Sequence, residues 1–201
     1  MTSYDTDPDV QLMLRFQRGD ASAFDELVRR HQRAVVNLTH RYVGDPGAAD
    51  DMAQDVFVRV HNARATYRPE AKFTTWLYRI ATNLCLNEIR DREKYRPIPL
   101  SDRKRVGGEA EEGPPGALLD AGTAAPPSEG HERAELRRAV IDAVRALPPQ
   151  QRMAVLLLRW HGCSYEEIAG ALDTTVKAVK SLLSRAKENL KQRLERHLGP
   201  G

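Results

Sequence analysis

Cysteines, aromatic residues and long apolar runs are all scarce in this sequence of 201 residues. Cys85 and Cys163 are the only cysteines, and their separation matches no metal-binding or redox spacing. This usage predicts a reducing, cytoplasmic environment. No segment approaches the 18 continuous apolar residues of a membrane span, and the acidic, polar beginning of the chain does not fit a secretory signal.

The sequence also lacks the patterns on which most enzymes depend. It contains no Gly-rich phosphate loop, no cluster of metal ligands and no arrangement typical of a nucleophilic triad. It therefore predicts no catalytic residue, metal, cofactor or small-molecule substrate. Alternation of apolar and polar residues, which indicates strands, is absent over any useful length, whereas the helical period recurs. The predicted fold class is all-α.

Charge is unevenly distributed around the net value of +3. Residues 1–96 carry 15 Lys and Arg against 14 Asp and Glu, residues 97–130 carry 3 against 6, and residues 131–201 carry 13 against 8. The middle segment also holds six prolines and six glycines, so it has too little apolar surface to fold alone. We expect two small helical domains, 1–96 and 131–201, joined by a flexible acidic linker, with nucleic acid bound at the basic C-terminal end.

Residues 164–187 predict a helix-turn-helix. Ser164 and Glu167 have the spacing of a capping box, and Asp173-Thr174-Thr175 forms the break before a second helix that begins at Val176. That second helix has an apolar side and a basic side with small hydroxyl residues, which suits the DNA major groove. An ordinary amphipathic helix with a solvated face is the alternative. The basic side comprises Lys177, Lys180, Ser181, Ser184, Arg185 and Lys187.

Two further surfaces are suggested in the N-terminal half. Asp51, Gln54 and Asp55 face away from the core with Val58 among them, which fits either a contact surface or a solvated helix with one stray valine. The next helix carries Arg and Asn, which can reach base edges, and nearby tyrosines that we expect to be exposed and able to stack on unpaired bases. These residues are Arg79, Asn83, Asn87 and Arg90, with Tyr67 and Tyr78.

Two blocks of sequence resemble the sigma-70 family of bacterial RNA polymerase sigma factors, in the extracytoplasmic-function (ECF) group. FQRGDASAFDELVRRH, DDMAQDVFVRVHNA and FTTWLYRIATNLCLNEIRDR are similar to region 2 of the family. ALPPQQRMAVLLLRWHGCSYEEIAGAL and TTVKAVKSLLSRAKENL are similar to region 4. The two blocks stand in the family's order, with a linker where the family has one.

The resemblance implies a role for each surface. The face with Asp51, Gln54, Asp55 and Val58 would dock on the β′ coiled coil of core RNA polymerase. The basic side of the last helix, Lys177 to Lys187, would enter the major groove of the −35 element. The acidic linker would run through polymerase toward the active-site cleft, mimicking nucleic acid. Reading and opening of the −10 element would belong to Tyr67, Trp76, Tyr78, Arg79, Asn83, Asn87 and Arg90.

An ECF sigma factor is thus the leading hypothesis from the sequence. Its implied partners are core polymerase through the β′ and β subunits, promoter DNA and an anti-sigma factor. The first alternative is a two-domain helix-turn-helix regulator with an N-terminal sensor domain, which would have no need of the polar surfaces within residues 51–90. The second, weaker alternative is an enzyme fused to a helix-turn-helix.

Overall fold

Every regular element that the structure describes is helical. The structure is a computed structural model that describes residue 4, residues 6–94 and residues 131–198. No strand occurs within these ranges, and none of their helices is both long and apolar enough to traverse a bilayer. The all-α prediction is confirmed. The helices are α1 (Pro8–Gln17), α2 (Ala21–Val43), α3 (Pro46–Asn62), a short 3-10 helix (Ala63–Thr66), α4 (Phe73–Lys94), α5 (His131–Arg145), α6 (Pro149–Trp160), α7 (Tyr165–Ala171) and α8 (Val176–Leu198).

Local capping signals set the starts of the first three helices. The side chain of Asp7 accepts a hydrogen bond from the backbone N–H of Asp9 at 2.9 Å, and Asp45 accepts one from Ala48 at 2.8 Å. Both caps precede a proline in the first helical turn, where the missing N–H costs nothing. Asp20 caps α2 in the same way, and Gly44 ends that helix in the left-handed region at φ 82°. An Asp followed by a Pro predicts a helix start, and Gly44 before Asp45-Pro46 predicts a helix end, so the structure confirms boundaries that the sequence predicts.

Helices α1 to α4 pack around one apolar core. Leu27, Val35 and Leu38 of α2 are buried there, as their helical spacing predicts. Phe24 and Val28 share the helical spacing of these core residues, but their side chains are only partly buried. They line an open groove between α2 and α3 instead of the closed core.

Helices α5, α6 and α7 pack against α8 and form the C-terminal half. The helical period of Leu136, Ala139, Val140, Ala143, Val144 and Leu147 predicts a helix from Glu135 with these residues on its apolar side. Helix α5 instead begins four residues earlier, at His131, and ends at Arg145. Leu136 is 40% exposed. Helical spacing alone does not show how far along α5 its neighbours extend.

The two halves are in contact with each other. Helix α7 packs on α4, and α6 packs on α2 and α4, so one cluster of buried side chains runs through both halves. The sequence suggested two separate domains and gave no sign of this contact. The predicted linker, residues 97–130, lies outside the described residues, and the domain boundaries at 96 and 131 stay predictions.

Candidate nucleic-acid and protein interfaces

The helix-turn-helix forms through the local contacts that its sequence predicts. Ser164 Oγ accepts from the Glu167 backbone N–H at 3.2 Å, and Glu167 accepts from the Ser164 N–H at 2.8 Å. This completes the capping box of α7. Asp173 takes φ 50° in the turn, and Thr175 Oγ1 accepts from Ala178 N–H at 3.2 Å at the start of α8. Both ends of the turn are thereby fixed by side chains.

Helix α8 separates its buried and exposed sides as predicted. Val179 and Ala186 are fully buried against the rest of the C-terminal half. A hollow of about 470 Å³ lies where the turn meets α8, and Lys177, Ser181 and Arg185 line it. The structure brings the whole predicted set together on one exposed side: Lys177, Lys180, Ser181, Ser184, Arg185 and Lys187.

The outer side of α3 presents all four predicted contact residues. Asp51, Gln54 and Asp55 are exposed, and Val58 is 53% exposed, which is unusual for an aliphatic side chain amid acids. Beside them lies a groove of about 620 Å³ between α2 and α3, lined in part by Gln54 and Val58. Sequence reasoning missed the α2 wall of this groove. Its apolar members Phe24, Val28 and Val36 share the helical spacing of true core residues.

Four of the predicted −10 residues form an exposed edge along α4. They are polar, spaced by three or four positions, and accessible: Arg79, Asn83, Asn87 and Arg90. Within this edge, Arg90 donates a hydrogen bond to Asn87 Oδ1 at 3.0 Å. The Arg90 guanidinium therefore orients the Asn87 amide, whereas Asn83 takes no part in this hydrogen bond. Asparagine is unfavourable inside a helix, so its presence here twice supports a role in binding.

The expectation that Tyr67 and Tyr78 are exposed is wrong. Tyr67 is 4% exposed, with its ring edge-on to Trp76 at a centroid distance of 4.8 Å. Tyr78 is 9% exposed, and its hydroxyl lies 3.0 Å from Nδ1 of His161 in the C-terminal half. Burial raises the pKa of both phenols to about 12. Neither ring can stack on a base in this conformation, so their assignment to DNA stays a prediction.

A small pocket lies between the residue 67–71 loop and α4. Its volume is about 210 Å³, and its walls include Arg68, Trp76 and Arg79. Part of the remaining wall is Gly170 of α7, from the other half of the chain. The pocket therefore combines aromatic and cationic side chains, which suit an unstacked base, with a backbone wall that depends on how the two halves are arranged.

Both cysteines lie where a structural, unreactive thiol is expected. Both thiols are free and buried. Burial raises the pKa of Cys85 to about 12 and that of Cys163 to about 11, so little reactive thiolate forms near neutral pH. Among the described residues, no group of three or more His, Cys, Asp or Glu side chains is placed to hold a metal ion.

Comparisons with known proteins identify two matched regions and several full-length relatives. Residues 27–95 match Sigma-70 region 2, and residues 137–190 match Sigma-70, region 4. The chain is 37% identical to the RNA polymerase sigma-H factor of Pseudomonas aeruginosa and 36% identical to the ECF RNA polymerase sigma-E factor of Escherichia coli. Each alignment covers 93% of this chain and 94% of the relative. Among solved structures, CnrH in complex with the cytosolic domain of CnrY is similar, with a TM-score of 0.64 at 26% identity over 94% of this chain and 97% of CnrH.

The matched regions define a class of promoter-binding transcription initiation factors. Both regions are present, in order, and the similarity to the two relatives extends over nearly the full length of each chain. The chain belongs to the sigma-70 family, in its ECF group. Its function is that of an alternative sigma factor, which binds core RNA polymerase, recognises −10 and −35 promoter elements and initiates promoter-specific transcription. A regulator with a sensor domain is not favoured, because the N-terminal half is itself sigma region 2.

Proposed function

We propose that three surfaces of this chain divide the work of an ECF sigma factor, and that α8 holds the −35 element. The observation that carries this assignment is that all six predicted side chains are exposed on one side of α8. Lys180 and Arg185 provide positive charge for phosphates and guanine edges. Ser181 and Ser184 are small enough to let the helix backbone approach the bases. The preceding α7, rigidly capped, fixes the angle at which α8 enters the groove.

The outer side of α3 is the proposed docking surface for core polymerase. Asp51 and Asp55 offer carboxylates to basic side chains of the β′ coiled coil, and Val58 offers an apolar centre beside the open groove. A groove flanked by acids suits an amphipathic helical partner that carries basic residues. The family resemblance supports β′ as that partner. Further contacts would involve the β subunit.

The α4 edge and the residue 67–71 loop are the proposed −10 reader. Asn83 and Asn87 can bond to base edges, and Arg79 and Arg90 can neutralise phosphates. A base leaving the duplex could enter the pocket beside Trp76. The free energy for opening the duplex then comes from binding of the unstacked strand, and this chain hydrolyses no nucleotide. The exposure of four polar side chains along one line of α4 supports this assignment.

We also infer a cytoplasmic location and regulation by an anti-sigma factor. A sigma factor must meet polymerase and chromosomal DNA in the cytoplasm, and the scarcity of cysteine agrees with a reducing compartment. The similar protein CnrH was solved in complex with the cytosolic domain of CnrY, which supports a protein partner of this kind.

Binding to core polymerase tests the docking surface directly. The variant Asp51→Asn/Asp55→Asn/Val58→Ala should bind fluorescently labelled core at least about tenfold more weakly, because it removes side chains from the centre of the interface. Its thermal unfolding should not change, because all three side chains are exposed. The matched control Asp25→Asn/Glu195→Gln removes the same charge at two other exposed positions. Equal affinities of variant and control would refute the docking surface.

Run-off transcription tests the function as a whole. Purified protein added to core polymerase, with no other sigma factor present, should give transcripts from defined start sites. Mapping those starts identifies the −10 and −35 sequences. Transcription that appears only when a second sigma factor is present would contradict the proposal.

A further inference from the structure

Helix α1 is the part of the N-terminal half to which the proposed function gives no role. Its residues, Pro8–Gln17, lie outside the match to Sigma-70 region 2, which begins at residue 27. The helix nevertheless packs on the 3-10 helix and on α4, the two elements on either side of the residue 67–71 loop. Both ends of α1 make hydrogen bonds to that part of the chain.

Gln17, the last residue of α1, contacts the chain where it enters the loop. Its Nε2 donates to the backbone carbonyl of Ala65 and to that of Tyr67, each at 3.3 Å. The two carbonyls flank Thr66, which ends the 3-10 helix, so one amide group spans the point at which the backbone changes from helical to extended. An NH2 group has two hydrogens and can make both bonds at once.

Asp7, the residue that caps α1, contacts the chain where it leaves the loop. One carboxylate oxygen, Oδ1, accepts from the Asp9 N–H at 2.9 Å and caps α1 itself. The other, Oδ2, accepts from the N–H of Phe73 at 3.2 Å. Phe73 is the first residue of α4, so this bond satisfies one of the amide groups that a helix leaves unpaired at its start. One side chain therefore caps two helices.

Helix α1 is itself anchored in the N-terminal half. Val10, Met13 and Phe16 are at most 2% exposed. On the polar side, Asp9 Oδ2 lies 2.8 Å from Nε2 of His31 on α2. Asp7 and Gln17 are separated by ten residues of helix, or about 15 Å at 1.5 Å per residue. Because α1 is rigid and anchored, it fixes the positions of these two hydrogen-bonding side chains.

The loop between these two contacts has no regular structure of its own. Residues 67–71 belong to neither neighbouring helix, although Glu70 N–H donates to the carbonyl of Arg68 at 2.9 Å. The loop nevertheless forms one wall of the pocket of about 210 Å³, with Trp76 of α4 in another. The shape of the pocket therefore depends on where the two ends of the loop are fixed.

We propose that α1 positions the −10 reader, because Gln17 and Asp7 fix the two ends of the residue 67–71 loop and keep its pocket in the shape that accepts an unstacked base. A loop fixed in its binding conformation loses less entropy when DNA binds. Gln17 and Asp7 are positioning residues, since neither is among the residues that line the pocket. The inference rests on the assignment of this loop and α4 to the −10 element, and it extends the reader to a helix that precedes the matched region 2.

Replacing Gln17 by glutamate tests this role, because glutamate has the same size but is ionised and cannot donate a hydrogen bond at neutral pH. In Gln17→Glu a carboxylate would face the carbonyl oxygens of Ala65 and Tyr67 and release that end of the loop. Hydrogen exchange of the backbone amides in residues 66–72 should become several-fold faster. Gln192→Glu, the same change at an exposed glutamine of α8, is the control and should leave exchange in the loop at the wild-type rate.

Binding of DNA to the holoenzyme then relates the loop to the −10 element. The probe is a single-stranded oligonucleotide with the −10 sequence of a promoter mapped by run-off transcription, and a scrambled oligonucleotide measures sequence preference. Holoenzyme with Gln17→Glu should bind the −10 probe about tenfold more weakly, because only molecules with a correctly shaped loop can bind. Affinities for the −35 duplex and for core polymerase should not change. This selectivity separates a positioning role from a general loss of stability.

Asp7 allows a second test on the same loop. In Asp7→Asn one of the two carboxylate oxygens becomes an NH2 group, so the side chain can no longer accept from both Asp9 and Phe73. Changes this far apart normally have additive effects. If both residues fix one loop, Asp7→Asn/Gln17→Glu should bind the −10 probe at least about threefold more tightly than the product of the two single effects predicts, because release of either end already frees most of the loop.

The possible outcomes are distinct. Wild-type loop exchange or wild-type −10 preference in Gln17→Glu would overturn the positioning role, as would fully additive effects in the double variant. Equal losses of −10, −35 and core binding would also overturn it, because α1 would then only stabilise the fold. A wild-type holoenzyme that binds the −10 and scrambled probes equally would instead refute the proposed −10 function, whereas faster loop exchange in Gln17→Glu would still show that α1 fixes the loop.

Discussion

The two proposed DNA readers differ in how their side chains are presented. On α8 all six predicted residues are exposed, whereas the −10 reader has four exposed residues on α4 and a buried pair, Tyr67 and Tyr78. Which side chains of α8 are exposed follows from the period of one helix. Which side chains of the proposed −10 reader are exposed depends on contacts between residues far apart in the chain, such as Tyr78 with His161. One proposed reader is therefore fully presented to solvent, and part of the other is buried within the protein.

The largest effect is expected at the exposed reader. Lys180→Ala/Arg185→Ala should weaken binding to duplex DNA carrying the −35 element by about a hundredfold, because removing a side chain that contacts a base costs about 1–3 kcal/mol. The slope of log affinity against log salt should also become shallower, by about 0.9 for each phosphate that is no longer neutralised. Fluorescence anisotropy at several salt concentrations measures both quantities.

A charge-matched control tests whether the loss of affinity comes from the exposed side of α8. Arg159→Ala/Lys191→Ala removes the same charge from two other exposed positions in the C-terminal half. It should leave sequence preference unchanged and weaken binding only through the general field. If both double variants lost affinity equally, the face would act as a nonspecific basic surface.

A smaller effect, on promoter opening instead of duplex binding, is expected at the proposed −10 reader. Asn83→Ala/Asn87→Ala should reduce promoter opening about ten- to hundredfold, since neither alanine can bond to a base edge. Binding to core polymerase and to isolated −35 duplex should stay unchanged, because both side chains are exposed and lie on α4. Permanganate footprinting of unpaired thymines measures opening. Asn62→Ala, at an exposed asparagine that ends α3, is the control, and unimpaired opening in the double variant would refute the −10 assignment.

Much of the fold could be predicted because its signals are local. The caps at Asp7, Asp20, Asp45 and Ser164 each act within three residues, so the sequence shows them directly. The exposed side of α8 follows from its period in the same way. The sigma-70 resemblance supplied the proposed roles of α3 and α4, which their polar residues alone left open.

The rest depends on pairs of elements that the sequence does not relate. Phe24 and Val28 have the spacing of core residues, yet they line an open groove because α3 does not cover that part of α2. Tyr67 stands among polar residues and Tyr78 directly precedes Arg79. Both are nevertheless buried, Tyr67 against Trp76 and Tyr78 against His161. Gly170 lies close to Thr75, 95 positions away, and the glycine itself is the only sign of this contact in the sequence.

The contact between the two halves should respond to pH through His161. Burial, and then the charge of Arg41 on α2, lower the pKa of His161 to about 4 from 6.5, and Tyr78 of α4 faces the same ring. If the halves separate, the imidazole regains a higher pKa and takes up a proton that the contact excludes. The contribution of His161 to the contact is therefore fully present above pH 6.5 and is lost as the pH falls toward 4, by at most about tenfold per pH unit.

Small-angle scattering of the free protein between pH 7.5 and 5 measures this response. The radius of gyration should rise on acidification. His161→Asn can keep a hydrogen bond with Tyr78 but does not titrate, so its radius should no longer depend on pH in this range. A pH response that survives in His161→Asn would mean that other groups control the contact.

The smallest effect is expected from the ion pair between Lys72 and Glu167. Lys72 is largely exposed, so solvent and salt screen the attraction, and Glu167→Gln should shift the equilibrium between joined and separated halves by less than about fivefold. Glutamine can still complete the capping box with Ser164, so α7 should remain folded. The neighbouring Glu166→Gln removes the same charge from the same helical turn without touching Lys72, and it should leave the equilibrium unchanged. Because the pair is electrostatic, the difference between the two variants should disappear at high salt. A difference that persisted there would mean that Glu167 acts through helix capping instead of the contact between the halves.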